Sequence, residues 1–372
     1  MRKIVIIPLL FIVIILITSC HVGRFFYWNM ADVYDFRKFP AEYVGKGERS
    51  FRFAELSLPK EPCLPEGFTG SKKTSGFNDF LKDTKTVAFM IIRNDTILYE
   101  NYFDDFSENE MIASFSVSKS YVSALTGIAL EEGYIKSVNQ PITDFIPELL
   151  ESDPRFSEIT LEHLLNMRSG IKFDEGYATP FSDMAKYYYG TNLKNYIRKL
   201  EISRSPDLEY DYISVNGLLL GIAVERATGY NLAKYLEQKI WIPLEMEYDA
   251  TWNFDSPRGN QIKAFCCINA RAVDMAKFGR LYLNQGNWNG RQIVPKSWVE
   301  ATLNANKSSR DSQGYPYSYQ WRVKDDGAFF AKGILGQYIY VNPEKNVIIV
   351  RMGKRDSGVQ WASLFEQICH QL

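Results

Sequence analysis

The chain has 372 residues, 46% of them hydrophobic, and its 43 basic and 44 acidic side chains leave a formal net charge of −1. Such a composition excludes a disordered chain and suffices for one large domain or two closely packed lobes. Lysines and arginines are dispersed without a basic stripe, so nothing in the charge calls for a nucleic-acid partner.

Arg2 and Lys3 open the chain, an apolar run follows from Ile4 to Ile17, and small residues close it at Ile17-Thr18-Ser19-Cys20. A run of that length is the core of a signal peptide rather than a spanning helix. Its ending resembles a bacterial lipoprotein box, which implies removal of residues 1–19 and lipidation of Cys20. An uncleaved anchor would equally export and tether the globular part. The expectation is therefore an exported protein, lipid-anchored to a bacterial membrane and facing the periplasm. Residues 20–75, punctuated by Pro40, Pro59, Pro62 and Pro65, read as a tether and irregular lead-in, and residues 76–372 as the catalytic domain. Beyond Cys20 the cysteines are Cys63, Cys266, Cys267 and Cys369. No Cys-x-x-Cys pair occurs, and adjacency is poor geometry for a Cys266–Cys267 bridge. They read as small buried apolar residues, with a Cys63–Cys369 bridge left open.

Val87 to Arg93 and Thr96 to Tyr102 alternate like strands around Asn94-Asp95, a hairpin signal. Val117, Tyr121, Leu125 and Ile128 then recur at helical spacing, and Gly133 marks the stop. From about 141 to 258 the chain reads mainly helical. Strand patterns return at Tyr319–Val323, Gln337–Val341 and Val347–Arg351, before a closing helix over Val359–Cys369. Strands at both ends of a helical middle predict an α/β fold: an antiparallel sheet flanked by helices, with an inserted mainly helical lobe.

The chemistry concentrates at Ser116-Val117-Ser118-Lys119. Positions i and i+3 of a helix are neighbours, so the lysine amine lies over the serine hydroxyl and can activate it as a nucleophile. Ser57-Leu58-Pro59-Lys60 has the same spacing, but its prolines preclude a helix and it reads as surface. The three histidines offer no strong alternative. His21 and His370 are near the ends, His163 sits in an amphipathic helix, and no Gly-x-Ser-x-Gly elbow exists. A hydrolase built from these residues takes its base from Lys, Tyr, Asp or Glu.

Further segments carry a resemblance. Tyr210-Asp211-Tyr212-Ile213-Ser214 precedes Leu218-Leu219-Leu220-Gly221, with Glu225 and Thr228-Gly229 beyond. Ile159-Thr160, His163-Leu164-Leu165 and Ser169-Gly170 form a second block, and Ala270-Arg271-Ala272-Val273-Asp274-Met275-Ala276-Lys277-Phe278-Gly279 a third. Together with the Ser-x-x-Lys set, these resemble the β-lactamase-related serine hydrolases, the class C β-lactamases and D,D-peptidases. The usual Lys-Thr-Gly is replaced by Ala331-Lys332-Gly333-Ile334, a form similar to the 6-aminohexanoate-dimer hydrolase branch. Lys332 reads as outside the site, because a shift of one residue on a strand reverses its face. Glu162, in a segment that imitates another β-lactamase loop, reads as structural.

The resemblance implies an acyl-enzyme on Ser116, with Lys119 and Tyr212 as acid/base groups. It also implies an oxyanion hole from the backbone N–H groups of Ser116 and Ile334. Ser214, standing where Asn is usual, and Gly333 are expected to support or contact substrate. Tyr177, with Asp183, Tyr187 and Tyr188, lies on a loop expected to border the cleft. No metal or organic cofactor is expected. The expected partners are a small-molecule or peptide amide or ester and, through Cys20, a membrane, without an obligate protein partner. The runner-up readings are a D,D-peptidase or β-lactamase, or a silent binding module on the same fold.

Overall fold

Alternating burial builds the centre of the molecule. The structure, a computed structural model, describes residues 20–28, 30–57, 61–68, 76–304 and 309–372. The expected signal peptide, and Pro59 and Lys60 of the second Ser-x-x-Lys match, lie outside the described residues; Ser57 is exposed and not helical. The main sheet contains β1 (Ala54–Glu55), β2 (Thr86–Arg93), β3 (Thr96–Tyr102), β4 (Tyr317–Ser318), β5 (Trp321–Val323), β6 (Phe329–Gly333), β7 (Gln337–Asn342) and β8 (Val347–Gly353). Its order is β4-β5-β6-β7-β8-β2-β3-β1. All pairings are antiparallel except the edge strand β1, which runs parallel to β3.

On β2, Ala88, Met90 and Ile92 enter one core while Phe89 and Ile91 enter the other. On β7 and β8, Ile339, Val341, Ile348 and Val350 likewise oppose Tyr338, Tyr340, Val347 and Ile349. Successive side chains of a strand point to opposite faces, and apolar faces on both sides require a cover on both. The helices that matter here are α1 (His21–Trp28), α2 (Phe77–Asp83), α3 (Ser118–Glu131), α4 (Leu161–Leu165), α5 (Asp183–Tyr189), α6 (Ser214–Thr228), α7 (Ala272–Leu283) and α8 (Trp361–Gln371). Helix α7 packs on β7 and β8, with α3 and α6 behind it in the larger core. Helices α2 and α8 cover the opposite face.

The predicted hairpin forms with Asn94 and Asp95 at φ 51° and 56°, the left-handed pair that a two-residue turn requires. The closing helix and the strands β7 and β8 stand within a few residues of their predicted positions. The pattern Tyr319–Val323 is divided: Tyr319 (φ 43°) and Gln320 (φ 69°) reverse the chain between β4 and β5, so only Trp321–Val323 is extended. Inside the helical stretch 141–258, Ile171–Lys172 pairs with Glu201–Ile202. Ala250–Asn253 joins a second sheet with Ala41–Val44, Ile268–Ala270 and Ile112–Ala113.

Two expectations are corrected. The lead-in is not a loose tether: Phe25, Val33, Phe39, Val44 and Phe53 are buried in the main core, and Ala41–Val44 is a sheet strand. Scattered apolar side chains between the prolines anchor it one residue at a time. Cys266 and Cys267 are bonded to each other. The backbone reversal at Cys267, φ 78°, turns neighbouring thiols together where extended or helical backbone would keep them apart. Cys63 is free and exposed, Cys369 free and buried. Among the described residues, no helix is long and apolar enough to cross a membrane.

Candidate active site

The position of Ser116 is set by one strained residue. Phe115 adopts φ 49° just after the short strand Ile112–Ala113, a conformation that costs a bulky residue on the order of 1–3 kcal/mol. The reversal lifts Ser116 into a single tight turn leading directly into α3. Lys119, in the first turn of α3, is only 1% exposed. Its Nζ donates to Ser116 Oγ at 2.9 Å, to Ser214 Oγ at 3.2 Å and to the Phe265 carbonyl at 2.8 Å. Three acceptors match the three N–H bonds of an ammonium group. The lysine stem runs across Gly217 of α6, where an added Cβ would stand 3.2 Å from Lys119 Cγ.

Sequence reasoning missed Glu175. Its Oε2 accepts the Ser214 backbone N–H at 2.7 Å, at the start of α6 where helix N–H groups lack partners. Its Oε1 accepts from the Ser214 hydroxyl and the Tyr177 hydroxyl, each at 2.5 Å. A hydrogen-bonded chain thus runs Tyr177, Glu175, Ser214, Lys119, Ser116. Burial raises the Glu175 carboxyl above its ordinary value, opposed first by the nearby Lys119 charge and then by these donors. Only an acid two residues before Tyr177 hinted at this in the sequence. The Phe265 carbonyl was undetectable there, because every residue carries one.

Opposite Ser116, β6 ends at Gly333. A Cβ there would meet the Ser114 carbonyl oxygen at 2.5 Å and stand 3.2 Å from Ser116 N, so only glycine lets the strand approach this closely. Ile334 follows in a tight turn held from beneath by buried Arg351, which donates to the Gly336 carbonyl at 2.6 Å. Lys332 turns away from the cleft, bonding Gln313 Oε1 at 2.9 Å and pairing with Asp356. It shares its face of the sheet with Tyr338, as period two demands.

Tyr212 is half-buried, its ring centroid 5.1 Å from Lys119 Nζ and 5.5 Å from the Arg322 guanidinium. The edge of Tyr317 meets it at 6.1 Å. Two basic side chains therefore face one phenol ring close to Ser116. The remaining candidates separate. Tyr188 lines the cleft, Tyr187 is buried against Phe173, and Asp183 accepts from the Asp174 backbone N–H. His163 forms a capping box with Thr160 at the start of α4, and Glu162 accepts from Tyr319 Oη, both structural roles.

A cavity of about 220 Å³ opens beside Ser116. Ser116, Ser214, Tyr177 and Ile334 line it together with Cys266 and the aromatic residues Phe25, Tyr188 and Tyr189. Phe25 is another residue the sequence reading missed, although Phe25-Phe26-Tyr27-Trp28 is a dense aromatic run for a tether.

The beta-lactamase family model matches residues 77–368, most of the chain and every group of the hydrogen-bonded chain. The chain belongs to the beta-lactamase family. It is a serine hydrolase on the α/β beta-lactamase fold. Among curated proteins it is similar to the 6-aminohexanoate-dimer hydrolase of Paenarthrobacter ureafaciens, with 26% identity over 293 residues covering 73% of each chain. Among solved structures, a Bacillus anthracis protein provisionally named as a 6-aminohexanoate-dimer hydrolase superposes with a TM-score of 0.75. Its sequence identity is 22%, and the match covers 92% of this chain and 93% of that one. A class C beta-lactamase mutant superposes with a TM-score of 0.61 at 13% identity, covering 79% of this chain and 95% of that one. Of the residues expected from the sequence, Lys119 bonds both Ser116 and Ser214, and Tyr212 and Gly333 stand beside them.

Proposed function

We propose that the protein hydrolyses amides or esters through an acyl-enzyme on Ser116, in the manner of a 6-aminohexanoate-dimer hydrolase or a related esterase. The observation that carries this reading is the Lys119 Nζ contact with Ser116 Oγ, held by two further acceptors. With all three N–H bonds aimed at acceptors, Lys119 serves as the fixed cation. Tyr212, acting as a phenolate beside two cations, then takes the Ser116 proton as Oγ attacks the carbonyl carbon and becomes a neutral phenol. Lys119 and Arg322 offset its negative charge before that transfer and again once the proton is passed on. The carbonyl oxygen becomes an oxyanion facing the N–H groups of Ser116 and Ile334, donors pre-aimed at charge that exists only in the transition state. Collapse expels the amine or alcohol, which takes the proton from Tyr212. Water then attacks the Ser116 ester, giving up a proton to Tyr212 that returns to Ser116 as the acid departs.

The Ala331-Lys332 replacement removes side chains that would grip a β-lactam carboxylate. Each lost charge-assisted bond is worth ~1.5–3 kcal/mol. Esters and linear amides should therefore turn over far better than nitrocefin, and a wide nitrocefin lead would restore the β-lactamase reading. The nucleophile is tested with a fluorophosphonate probe. Ser116→Ala should lose both labelling and p-nitrophenyl butyrate hydrolysis, by at least about a thousandfold, while its melting temperature holds. Full activity in that variant would end the mechanism. We also propose export and lipid anchoring through Cys20, an exposed residue at the start of α1. Intact-mass analysis of Cys20→Ser should find an unprocessed chain without lipid, whereas a wild-type chain retaining Met1 would refute the anchor.

A further inference from the structure

Among the described residues that line the cavity beside Ser116 there is no aspartate, glutamate, lysine, arginine or histidine. Away from the hydroxyls of Ser116, Ser214 and Tyr177, its wall includes Phe25, Met30, Ala31, Met184, Ala185 and Tyr189. Phe25, Met30 and Ala31 come from the stretch just after Cys20. Helix α1 packs on α5, with the Phe25 and Tyr189 rings edge to face at 5.4 Å. The arrangement is braced from behind. Tyr188 donates its hydroxyl to Asp35, which is paired with Lys38 at 2.6 Å. The buried Lys263 donates to the Tyr188 carbonyl at 2.6 Å while lying 3.3 Å from the centroid of the Phe39 ring. Charged groups are thus present one layer out, Asp35 paired with Lys38 and Lys263 held by a carbonyl and a ring, and none of them is among the described residues that line the cavity.

We propose that Phe25, Met30 and Ala31 are specificity-determining residues. They form an uncharged sleeve that binds an aliphatic or aromatic acyl group of a neutral ester or amide and rejects substrates charged at that end. This deepens the hydrolase reading above and rests on it. A charged substrate end entering the sleeve gives up its hydration without meeting a partner, the costly arrangement for any ion. An apolar end gains about fourfold per buried methylene, from ~0.8 kcal/mol each.

The test is a series of p-nitrophenyl esters from acetate to decanoate, with the hemisuccinate as charged counterpart, on the full chain. Wild type should show kcat/KM rising about fourfold per methylene until the sleeve is full, with the hemisuccinate far below the butyrate. Met30→Lys is the chosen variant because Met30 is 49% exposed and the long side chain can be carried without unfolding. It should lower KM for the hemisuccinate and cost the octanoate at least tenfold in kcat/KM. The loss should be smaller for acetate than for octanoate, so the octanoate-to-acetate ratio of kcat/KM falls. Ala31→Phe should shorten the optimum acyl length. A flat wild-type profile, or equal losses for acetate and octanoate in Met30→Lys, overturns the sleeve while leaving the Ser116 chemistry standing. Failure of the hydrolase reading is distinguishable: no ester would turn over and no label would attach to Ser116.

Discussion

One side of the cleft is a chain of hydrogen bonds from Tyr177 through Glu175, Ser214 and Lys119 to Ser116. The other, from Phe25 to Tyr189, meets a substrate with carbon and aromatic surface. The polar side works through geometry, and displacements of a few tenths of an ångström there change the rate of the reaction. The apolar side works through area removed from water and decides what is bound. Substitutions on the polar side should fall on kcat, and those on the apolar side on discrimination between substrates.

Gly333→Ala presses hardest on that contrast. Its methyl group would collide with the Ser114 carbonyl and crowd Ser116 N, displacing an oxyanion donor without touching the sleeve. We expect a loss of about 10²–10³ in kcat with an unchanged preference among acyl lengths. A changed length profile at normal kcat would mean that the two sides are not separable.

Glu175→Gln should cost about tenfold at neutral pH, as one charge-assisted bond is replaced by a weaker one. Its pH dependence is more diagnostic. Burial raises this carboxyl, and only the carboxylate can accept at both oxygens, from the two hydroxyls on Oε1 and from the Ser214 N–H on Oε2. Wild-type kcat/KM should fall as pH drops through that raised pKa, above the ordinary carboxylate range, and the glutamine variant should lose this acid limb. Stability responds in the opposite sense. A carboxyl raised on folding lends its full stability below the unfolded pKa and loses it as pH rises through the folded one. An identical acid limb in both proteins would remove Glu175 from the catalytic chain.

The smallest expected effect concerns Cys266–Cys267, which belongs to both sides. Cys266 lines the cavity, and the preceding residue supplies the carbonyl that holds Lys119. Opening the bond with a phosphine frees that turn and weakens, without breaking, the hydrogen bond from the Lys119 ammonium to the Phe265 carbonyl, for a loss of about two- to fivefold in kcat. The double variant Cys266→Ser, Cys267→Ser should start at the reduced level and ignore the phosphine. Equal phosphine sensitivity in both proteins would remove the bond from any role in the site.

The legible parts of the molecule were those specified by neighbours in sequence. Ser116 and Lys119 stand three apart on one helix, the Asn94-Asp95 turn dictates its hairpin, and period two writes out β7 and β8. Tyr212 and Gly333 came through resemblance, which carries long-range order that spacing cannot. Glu175 escaped because its role depends on a loop reaching the first turn of α6. Met30 and Phe25 escaped because prolines nearby suggested irregular chain. Irregular chain can still be packed when single aromatic residues enter a core, as Phe25, Phe39 and Phe53 do. The Cys266–Cys267 bond escaped because a left-handed residue outside glycine is rarely anticipated.

Helix α1 joins Cys20 to the rim of the sleeve through eight residues, a span of about 12 Å. Phe26, Tyr27 and Phe181 stand exposed on the stretch and on a loop beside the cleft. With acyl chains on Cys20, the opening would stay within roughly one headgroup layer of the bilayer. Encounter with substrate would then become a search over a surface rather than through a volume. Amphiphilic molecules already concentrated in that layer would reach Ser116 at effective concentrations their bulk solubility never allows.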